Sequence, residues 1–248
     1  MSQAKKQKMW DAGNLRFDAF LSMGLGDCLR AQKLWKKAIC LADGSVRCID
    51  GRTPGGIHLA GSGILLGLNG AEKFVRSVRS ARRNVEVITW HSDCGAAFVW
   101  SEQNGGKVDS NARMFAEKLA GRVGARAEKI KNKGEDGFHH ERVAYYDDTG
   151  LFDWSQVDLP AGFIISRRYL DFDPDYAMSE LEMTIEIALG DHGFGGLFSE
   201  QRPFLVVPVA FKQGRRNRVV LARRECEKVV SSLGAKDRNR VRITEALV

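Results

Sequence analysis

The chain has 248 residues, enough to bury a full hydrophobic core in one large domain or two small ones. Its 44% hydrophobic and 28% charged residues are typical of a soluble globular protein, and no apolar run approaches the ~18 residues that a membrane span needs. The five scattered cysteines exclude a disulfide framework, so metal binding or simple burial is the better interpretation.

The net charge of +7 would favour anionic partners, nucleic acid included. However, the basic residues are spread over predicted helices at 71–84 and 215–236, without a dense run interleaved with aromatic residues. This pattern favours a solvated basic surface, and nucleic-acid binding is not expected. The basic N-terminus lacks the apolar segment of a secretory signal, so a cytoplasmic, membrane-free protein is expected.

The first third of the chain predicts a helix followed by strands. Residues 1–37 carry leucines at helical spacing. Two alternating apolar runs flank Asp43-Gly44, which predicts a β-hairpin over residues 37–49 and places Cys48 at a strand end.

A βαβ unit is predicted next. A short strand at Ile57–Ala60 leads to the glycine-rich Gly61-Ser-Gly, an amphipathic helix at 71–84 and a strand, Val85–Trp90, that ends at His91. Such a unit predicts a parallel β-sheet with helices on its faces, whose ligands lie at the carboxyl ends of strands.

The remaining elements complete an α/β pattern without an interdomain linker. Helices are predicted at 96–100, 111–130, 179–189 and 217–234, a polar loop at 131–137, and strands at 142–146, 162–166, 204–211 and 241–244. Pro208 indicates that its strand is an edge or carries a bulge.

Two short motifs carry the chemistry of the sequence. Cys48-Ile-Asp50-Gly-Arg52 and His91-Ser-Asp-Cys94-Gly supply two thiols and an imidazole, which suit Zn²⁺ with one position left open. A structural zinc site would normally have a fourth Cys or His, whereas here Asp50 and Arg52 accompany the first ligand. The pattern indicates a hydrolytic or hydrating metal site.

The paired motifs resemble the signature of the β-class carbonic anhydrases. Gly56-Ile-His-Leu-Ala-Gly-Ser-Gly lies where that family has a strand followed by Arg-Asn-Ala-Gly, and the helix and strand before His91 fit the family order. The resemblance covers residues 37–100 well and 101–166 loosely. It implies a parallel-centred mixed β-sheet flanked by helices, and it does not extend beyond about residue 166. We expect one α/β domain over residues 1–248, with an N-terminal helical arm (1–36), a zinc-site core (37–166) and a C-terminal extension (167–248) packed on the core.

The resemblance also implies an activity. Cys48, His91 and Cys94 would be the zinc ligands of a carbonic anhydrase, a lyase that reversibly hydrates CO₂ to bicarbonate with zinc hydroxide as the nucleophile. Asp50 and Arg52 would be the catalytic dyad that orients this nucleophile, and Asp50 would become a fourth ligand in a closed form. A homodimer or higher oligomer is implied too. Two alternatives remain open: a non-catalytic, zinc-stabilised module with a basic anion-binding surface, and a hydrolase of another small electrophile such as COS or CS₂.

Other residues are weaker candidates. His58 is interpreted as a half-buried strand histidine rather than a proton shuttle, and Asp93 as a loop-capping carboxylate. His139-His140-Glu141 could bind a second metal, but a polar strand entrance is favoured because no further ligand lies close in sequence. The loop 190–196 follows a helix instead of preceding one, which favours a helix C-cap and turn over a phosphate loop. Cys28, Cys40 and Cys226 are interpreted as buried small hydrophobes.

Overall fold

A computed structural model describes residues 2–40, 43–132, 138–211, 216–244 and 246–247 of the chain. In these ranges no helix has the length and apolar character that a membrane crossing demands.

The described helices and strands alternate along most of the chain. The helices are α1 (Gln3–Ala31), α2 (Trp35–Ala38), α3 (Gly67–Ser80), α4 (Gly95–Asn104), α5 (Val108–Val123), α6 (Pro174–Leu189), α7 (Arg216–Ser232) and α8 (Ala235–Arg238). The strands are β1 (Ser45–Arg47), β2 (Ile57–His58), β3 (Val87–Trp90), β4 (Arg126–Lys129), β5 (Val143–Asp147), β6 (Gly162–Ile165), β7 (Phe204–Ala210), β8 (Val241–Ile243) and β9 (Ala246–Leu247).

The strands form two sheets in which all described strand pairs are parallel. The first sheet has the order β2-β1-β3-β4, and the second has the order β6-β5-β7-β8, with β9 also paired to β7. Helices lead from β2 to β3, from β3 to β4, from β6 to β7 and from β7 to β8, as parallel crossovers require. The predicted parallel α/β fold class is confirmed, in two sheets instead of one mixed sheet.

The two sheets meet where β2 lies beside β6. The Ile164 N–H donates to the Ile49 carbonyl at 3.1 Å, and the Ser166 N–H donates to the His58 carbonyl at 3.3 Å. The segment that leaves β1 therefore runs alongside β6, and the two sheets are hydrogen-bonded through it. This contact places residues that follow β1 next to residues of the second sheet.

Both faces of the second sheet are buried, which explains the continuous apolar run of β7. Alternate β7 residues enter different cores: Phe204 and Val206 pack with α6 and α7, and Leu205 and Val207 pack with α1. Residues 167–248 thus contribute an interior strand of this sheet, β7, and the helices α6 and α7 that cover one of its faces. α1 is confirmed as a long helix, and it bends at Gly24, whose φ of 74° is not helical.

The predicted hairpin over residues 37–49 is wrong. Lys37 and Ala38 belong to α2, Ile39 makes an isolated antiparallel bridge to Phe152, and positions 41–42 lie outside the described residues. β1 instead pairs in parallel with β2 and β3. Burial of Val46 between two parallel neighbours outweighs the local turn signal of Asp43-Gly44, and the Asp43 carboxylate accepts from the Ser45 N–H at 2.9 Å.

Two further predictions need correction. The helix predicted over 111–130 ends at Val123, because Gly124 adopts a left-handed C-cap, and the strand β4 follows. Pro208 does not mark an edge strand, since it lies inside β7 opposite Tyr146 of β5. Its missing N–H faces the break between β8 and β9, where no ladder donor is needed.

Other predicted elements are confirmed with small shifts of their ends. These are the helices α3, α4, α6 and α7 and the strands β2, β3, β5, β6 and β8. α6 begins earlier than predicted because the Asp173 side chain caps Tyr176 N and Pro174 occupies the first turn. The loop prediction at 131–137 falls mostly on positions 133–137, outside the described residues.

Candidate metal centre

Cys48, His91 and Cys94 lie together at the carboxyl edge of the first sheet. Cys48 follows β1, His91 follows β3, and Cys94 is the N-cap of α4. β1 and β3 are adjacent parallel strands, so their carboxyl ends meet. The ligand atoms of the three residues lie within 4.8 Å of one another, and all three side chains are buried.

The His91 ring is oriented for coordination through Nε2. Its Nδ1–H donates to the Ser92 carbonyl at 2.8 Å, which leaves the lone pair on Nε2. Nε2 is buried and has no hydrogen-bond partner among the described residues. A buried nitrogen without a partner is rare, and a metal ion would satisfy it.

The two sulfurs lie in different surroundings. The Cys48 thiol and the backbone N–H groups of Ala97 and Ala96 at the start of α4 lower the pKa of Cys94. Conversely, the Cys94 thiol and burial raise the pKa of Cys48, whose Sγ accepts the Gly61 N–H at 3.3 Å. Two thiolates in one buried place repel each other unless a cation lies between them.

The pKa of His91 also indicates that this cluster favours a positive charge. Burial alone would lower the pKa of its imidazole, but the Cys48 sulfur and the Asp50 carboxylate raise it to about 9. The cluster therefore attracts a cation, and a metal ion bound there would displace protons. Two thiols and one imidazole are donors that suit Zn²⁺, so these three residues can hold a metal ion.

Gly61 lets the backbone approach the cluster closely. Its φ is +52°, and a Cβ there would lie 2.7 Å from Ile64 Cγ2, 2.9 Å from Ala96 Cβ and 3.4 Å from Cys94 Sγ. A side chain at this position would be strained and would push on the residues around Cys94. The glycine-rich Gly61-Ser-Gly thus forms one wall of the metal centre.

Asp50 and Arg52 form a buried ion pair beside the three ligands. Arg52 donates from its backbone N–H to Asp50 Oδ1 at 2.9 Å and from Nη2 to Oδ2 at 2.6 Å, and the Arg52 side chain is 0% exposed. Burial would raise the pKa of Asp50, but the charges of His139 and Arg52 hold it well below its ordinary value. Asp50 is therefore an ionised acceptor with a fixed orientation.

The structure shows an arrangement in which Asp50 is bound by Arg52. The carboxylate is not part of the group formed by Cys48, His91 and Cys94, whose ligand atoms all lie within 4.8 Å of one another. The fourth position expected from the sequence is therefore not filled by Asp50 in this arrangement.

Two residues of α6 that the sequence did not indicate, Tyr176 and Glu180, also lie beside the metal centre. Glu180 Oε1 accepts the Ala60 N–H at 2.6 Å, although Glu180 is 120 positions away in the chain. Tyr176 lies one turn earlier on α6. Burial and the neighbouring Glu180 raise the pKa of Tyr176, and the nearby Cys48 thiol raises it further. The available signal was an acidic residue at helical spacing from Ala177 and Leu181 on a buried face.

Glu180 makes the stability of the protein depend on pH. Burial raises the pKa of its carboxyl to about 8, above the ordinary 4.5. The folded state therefore favours the protonated acid, so this contribution is fully present below about pH 4.5 and is lost as the pH rises to about 8. In urea unfolding at several pH values, Glu180→Gln should flatten this fall in the free energy of unfolding.

Glu182→Gln is the matched control, because Glu182 is exposed on the same helix. It should follow the wild-type pH profile. If Glu180→Gln and the wild type lose stability in parallel between pH 5 and 8, the assignment of this dependence to Glu180 is wrong.

The weaker candidates of the sequence have defined places. His58 is fully buried, not half-buried: it is 1% exposed, its Nδ1–H donates to the Cys48 carbonyl at 2.6 Å, and burial lowers its pKa to about 4. Among the described residues the Asp93 side chain caps no backbone group of the loop, and the Asp109 carboxylate accepts the Asp93 N–H at 3.3 Å.

The loop 190–196 ends α6, since the Gly190 N–H donates to the Glu186 carbonyl. This is the predicted C-cap. Cys28 and Cys226 are buried as expected, whereas Cys40 is exposed.

His139 and Glu141 lie beside Asp50, contrary to the expectation of a simple polar strand entrance. His139 Nδ1 is 3.6 Å from Asp50 Oδ1 and 3.5 Å from Glu141 Oε2. The further potential ligand that the neighbouring sequence lacks is Asp50, from a different part of the chain. All three residues are buried.

Comparison with known proteins gives no assignment. No protein-family model, no curated protein and no solved structure matches this chain. The resemblance to β-class carbonic anhydrases therefore rests on the residues of the two motifs. The structure adds that the three potential metal ligands lie together.

Proposed function

We propose that this protein is a zinc enzyme of the β carbonic anhydrase type that reversibly hydrates CO₂. The observation that carries the proposal is the joint placement of Cys48, His91 and Cys94 within 4.8 Å next to the buried Asp50–Arg52 pair. A purely structural zinc site has no need for an ionised carboxylate fixed beside it. The proposal also includes Zn²⁺ as the cofactor and CO₂ and bicarbonate as the substrates.

The residues divide the work by their chemistry. Cys48, His91 and Cys94 would hold Zn²⁺, which would lower the pKa of a water molecule and so supply a nucleophile at neutral pH. Asp50 would accept a hydrogen bond from that nucleophile and orient it towards the carbon of CO₂. Arg52 keeps Asp50 ionised and turned in one direction through the contacts described above.

The test is CO₂-dependent acidification by the zinc-loaded protein between pH 6 and 9, followed by stopped flow with a pH indicator. The wild type should accelerate hydration, and Asp50→Ala should slow it by about 10²-fold or more, since a positioned acid-base group contributes about 10²–10⁴-fold. Asp50→Ala should still bind zinc at Cys48, His91 and Cys94, which together we call the thiolate site. The control Asp158→Ala removes an exposed carboxylate and should leave the rate unchanged.

A zinc-loaded wild type that hydrates no CO₂ at any of these pH values would end the proposal. Turnover of COS or CS₂ in its place would support a hydrolase built on the same scaffold. A protein without either activity, but with salt-dependent nucleic-acid binding that survives Asp50→Ala, would be a zinc-stabilised binding module.

A further inference from the structure

A second group of potential ligands includes Asp50 and is distinct from the group that contains the thiols. It consists of Asp50, His139 and Glu141, whose ligand atoms lie within 4.8 Å of one another. Asp50 follows β1 of the first sheet, whereas Glu141 precedes β5 of the second sheet. The group therefore forms only where the two sheets meet.

Glu141 is the most unusual member of this group. It is 0% exposed, and neither carboxylate oxygen has a hydrogen-bond partner among the described residues. His139 Nδ1 is also buried without such a partner. Burial of a carboxylate is unfavourable unless the charge is paired or coordinates a metal ion.

The backbone is adapted to bring Glu141 to this place. A Cβ on Gly51 would lie 2.6 Å from Glu141 Cγ and 2.7 Å from Glu141 Oε1, so the glutamate lies directly against the backbone between Asp50 and Arg52. No larger residue fits at Gly51 without moving it. The motif Asp50-Gly-Arg52 therefore makes room for the second carboxylate as well as for the ion pair.

Charge and distance both indicate a cation. The Arg52 guanidinium donates hydrogen bonds to Asp50 from Nε and Nη2, and it also lies close enough to Glu141 for their charges to interact. The two buried carboxylates thus have this one guanidinium as a common positive neighbour. The separations of His139 Nδ1 from the two carboxylates, 3.6 and 3.5 Å, are too long for good hydrogen bonds. They are close to the ~3.4 Å that separates two N or O ligands placed ~2.1 Å from a tetrahedral ion.

We propose that Asp50, His139 and Glu141 bind a second divalent cation. The donors are two oxygens and one nitrogen, a harder set than the thiolate site, and they suit Zn²⁺ or Mn²⁺. Asp50 Oδ1 accepts from the Arg52 backbone N–H at 2.9 Å and from Nε at 3.0 Å and lies 3.6 Å from His139 Nδ1, and Oδ2 accepts from Nη2 at 2.6 Å. The carboxylate would therefore bind the cation while it is held by Arg52. The proposal does not depend on CO₂ hydration, because it concerns metal stoichiometry alone.

Equilibrium dialysis of the full chain against Zn²⁺ tests it. The wild type should bind two equivalents, Glu141→Gln one and Cys94→Ser one, whereas the control Glu182→Gln should bind two. With Co²⁺ as the probe, the ion that Glu141→Gln loses should be the one without thiolate-to-metal charge-transfer absorbance. His139→Gln gives a second variant in case Glu141→Gln does not fold.

A wild type that binds a single equivalent of Zn²⁺ overturns the proposal without reference to any variant. So does a folded Glu141→Gln that retains two equivalents. A failure of CO₂ hydration with two bound ions would leave the second site standing, so the two proposals fail separately.

Discussion

Replacing Cys94 with serine should remove zinc from the thiolate site and lower the stability of the zinc-containing protein by about 3–4 kcal/mol. The figure is that expected when an ion bound only to the folded state is lost at free concentrations of about 100–1,000 times its dissociation constant. Cys94 combines a lowered thiol pKa with a position at the start of α4, so it is the sulfur best prepared to bind as a thiolate. Metal analysis and thermal unfolding with and without zinc measure both effects.

Cys28→Ser is the matched control for this substitution. Cys28 is also buried, but it belongs to the core between α1 and the second sheet, away from the metal centre. It should keep its zinc and lose only the small packing contribution of a sulfur. A Cys94→Ser protein with full zinc content, or one whose stability still rises with added zinc as the wild type's does, would contradict the ligand assignment.

Replacing Arg52 with glutamine should destabilise the fold by about 3–5 kcal/mol, because it leaves a buried carboxylate without its partner. Arg52 is 0% exposed, and Asp50 is only 4% exposed in its side chain. Glu141 also loses a positive neighbour. Urea unfolding at neutral pH measures the loss, and CO₂ hydration should fall with it because Asp50 is no longer held in one direction.

Arg16→Gln removes an ion pair of similar geometry at the surface and serves as the control. Arg16 Nη2 lies 2.8 Å from Asp158 Oδ1, but the two side chains are 59% and 66% exposed. Solvent screening limits such a pair to about 0–1 kcal/mol. If Arg52→Gln loses no more stability than Arg16→Gln, the Asp50 and Glu141 charges are compensated by other groups, and the role assigned to Arg52 is wrong.

The two substitutions probe different parts of one polar network. Cys94 belongs to the group that it forms with Cys48 and His91, whereas Arg52 contacts Asp50, a member of the Asp50–His139–Glu141 group. If the proposed zinc ion is bound, Arg52 would also keep Asp50 from closing its fourth position, because both carboxylate oxygens of Asp50 accept hydrogen bonds from the Arg52 guanidinium. Loss of Arg52 should therefore affect both groups, and loss of Cys94 mainly one.

Local signals in the sequence were sufficient for much of the candidate site. The Asp50–Arg52 pair depends on a two-residue spacing. At this spacing the Arg52 backbone N–H donates to the Asp50 carboxylate, a contact that the chain makes within one turn. The β-rich run before His91 and the amphipathic helix before it also identified a parallel unit, since period-2 and period-3.6 patterns reflect which face is buried. Parallel strands then place Cys48 and His91 at the same edge.

Tertiary structure decided what local patterns could not. The Asp43-Gly44 turn signal failed because Val46 gains more by burial between β2 and β3 than by a hairpin. The sequence predicts helix where the structure has β4. The four residues of β4 are mostly exposed and follow α5 without an apolar alternation of their own, so no local pattern marks them as a strand. Pro208 is tolerated inside β7 only because two separate strands pair on the side that it faces.

The sequence by itself determined which three residues could bind a metal ion and which carboxylate and guanidinium form a pair, because those residues lie at or soon after strand ends or within one turn. Only the tertiary structure added His139, Glu141, Tyr176 and Glu180 to the same polar region. These residues reach it because the segment after β1 is hydrogen-bonded to β6 and α6 packs over the loop that contains Ala60. Contacts between residues 89 or more positions apart depend on how the sheets and helices pack, and no local period encodes that.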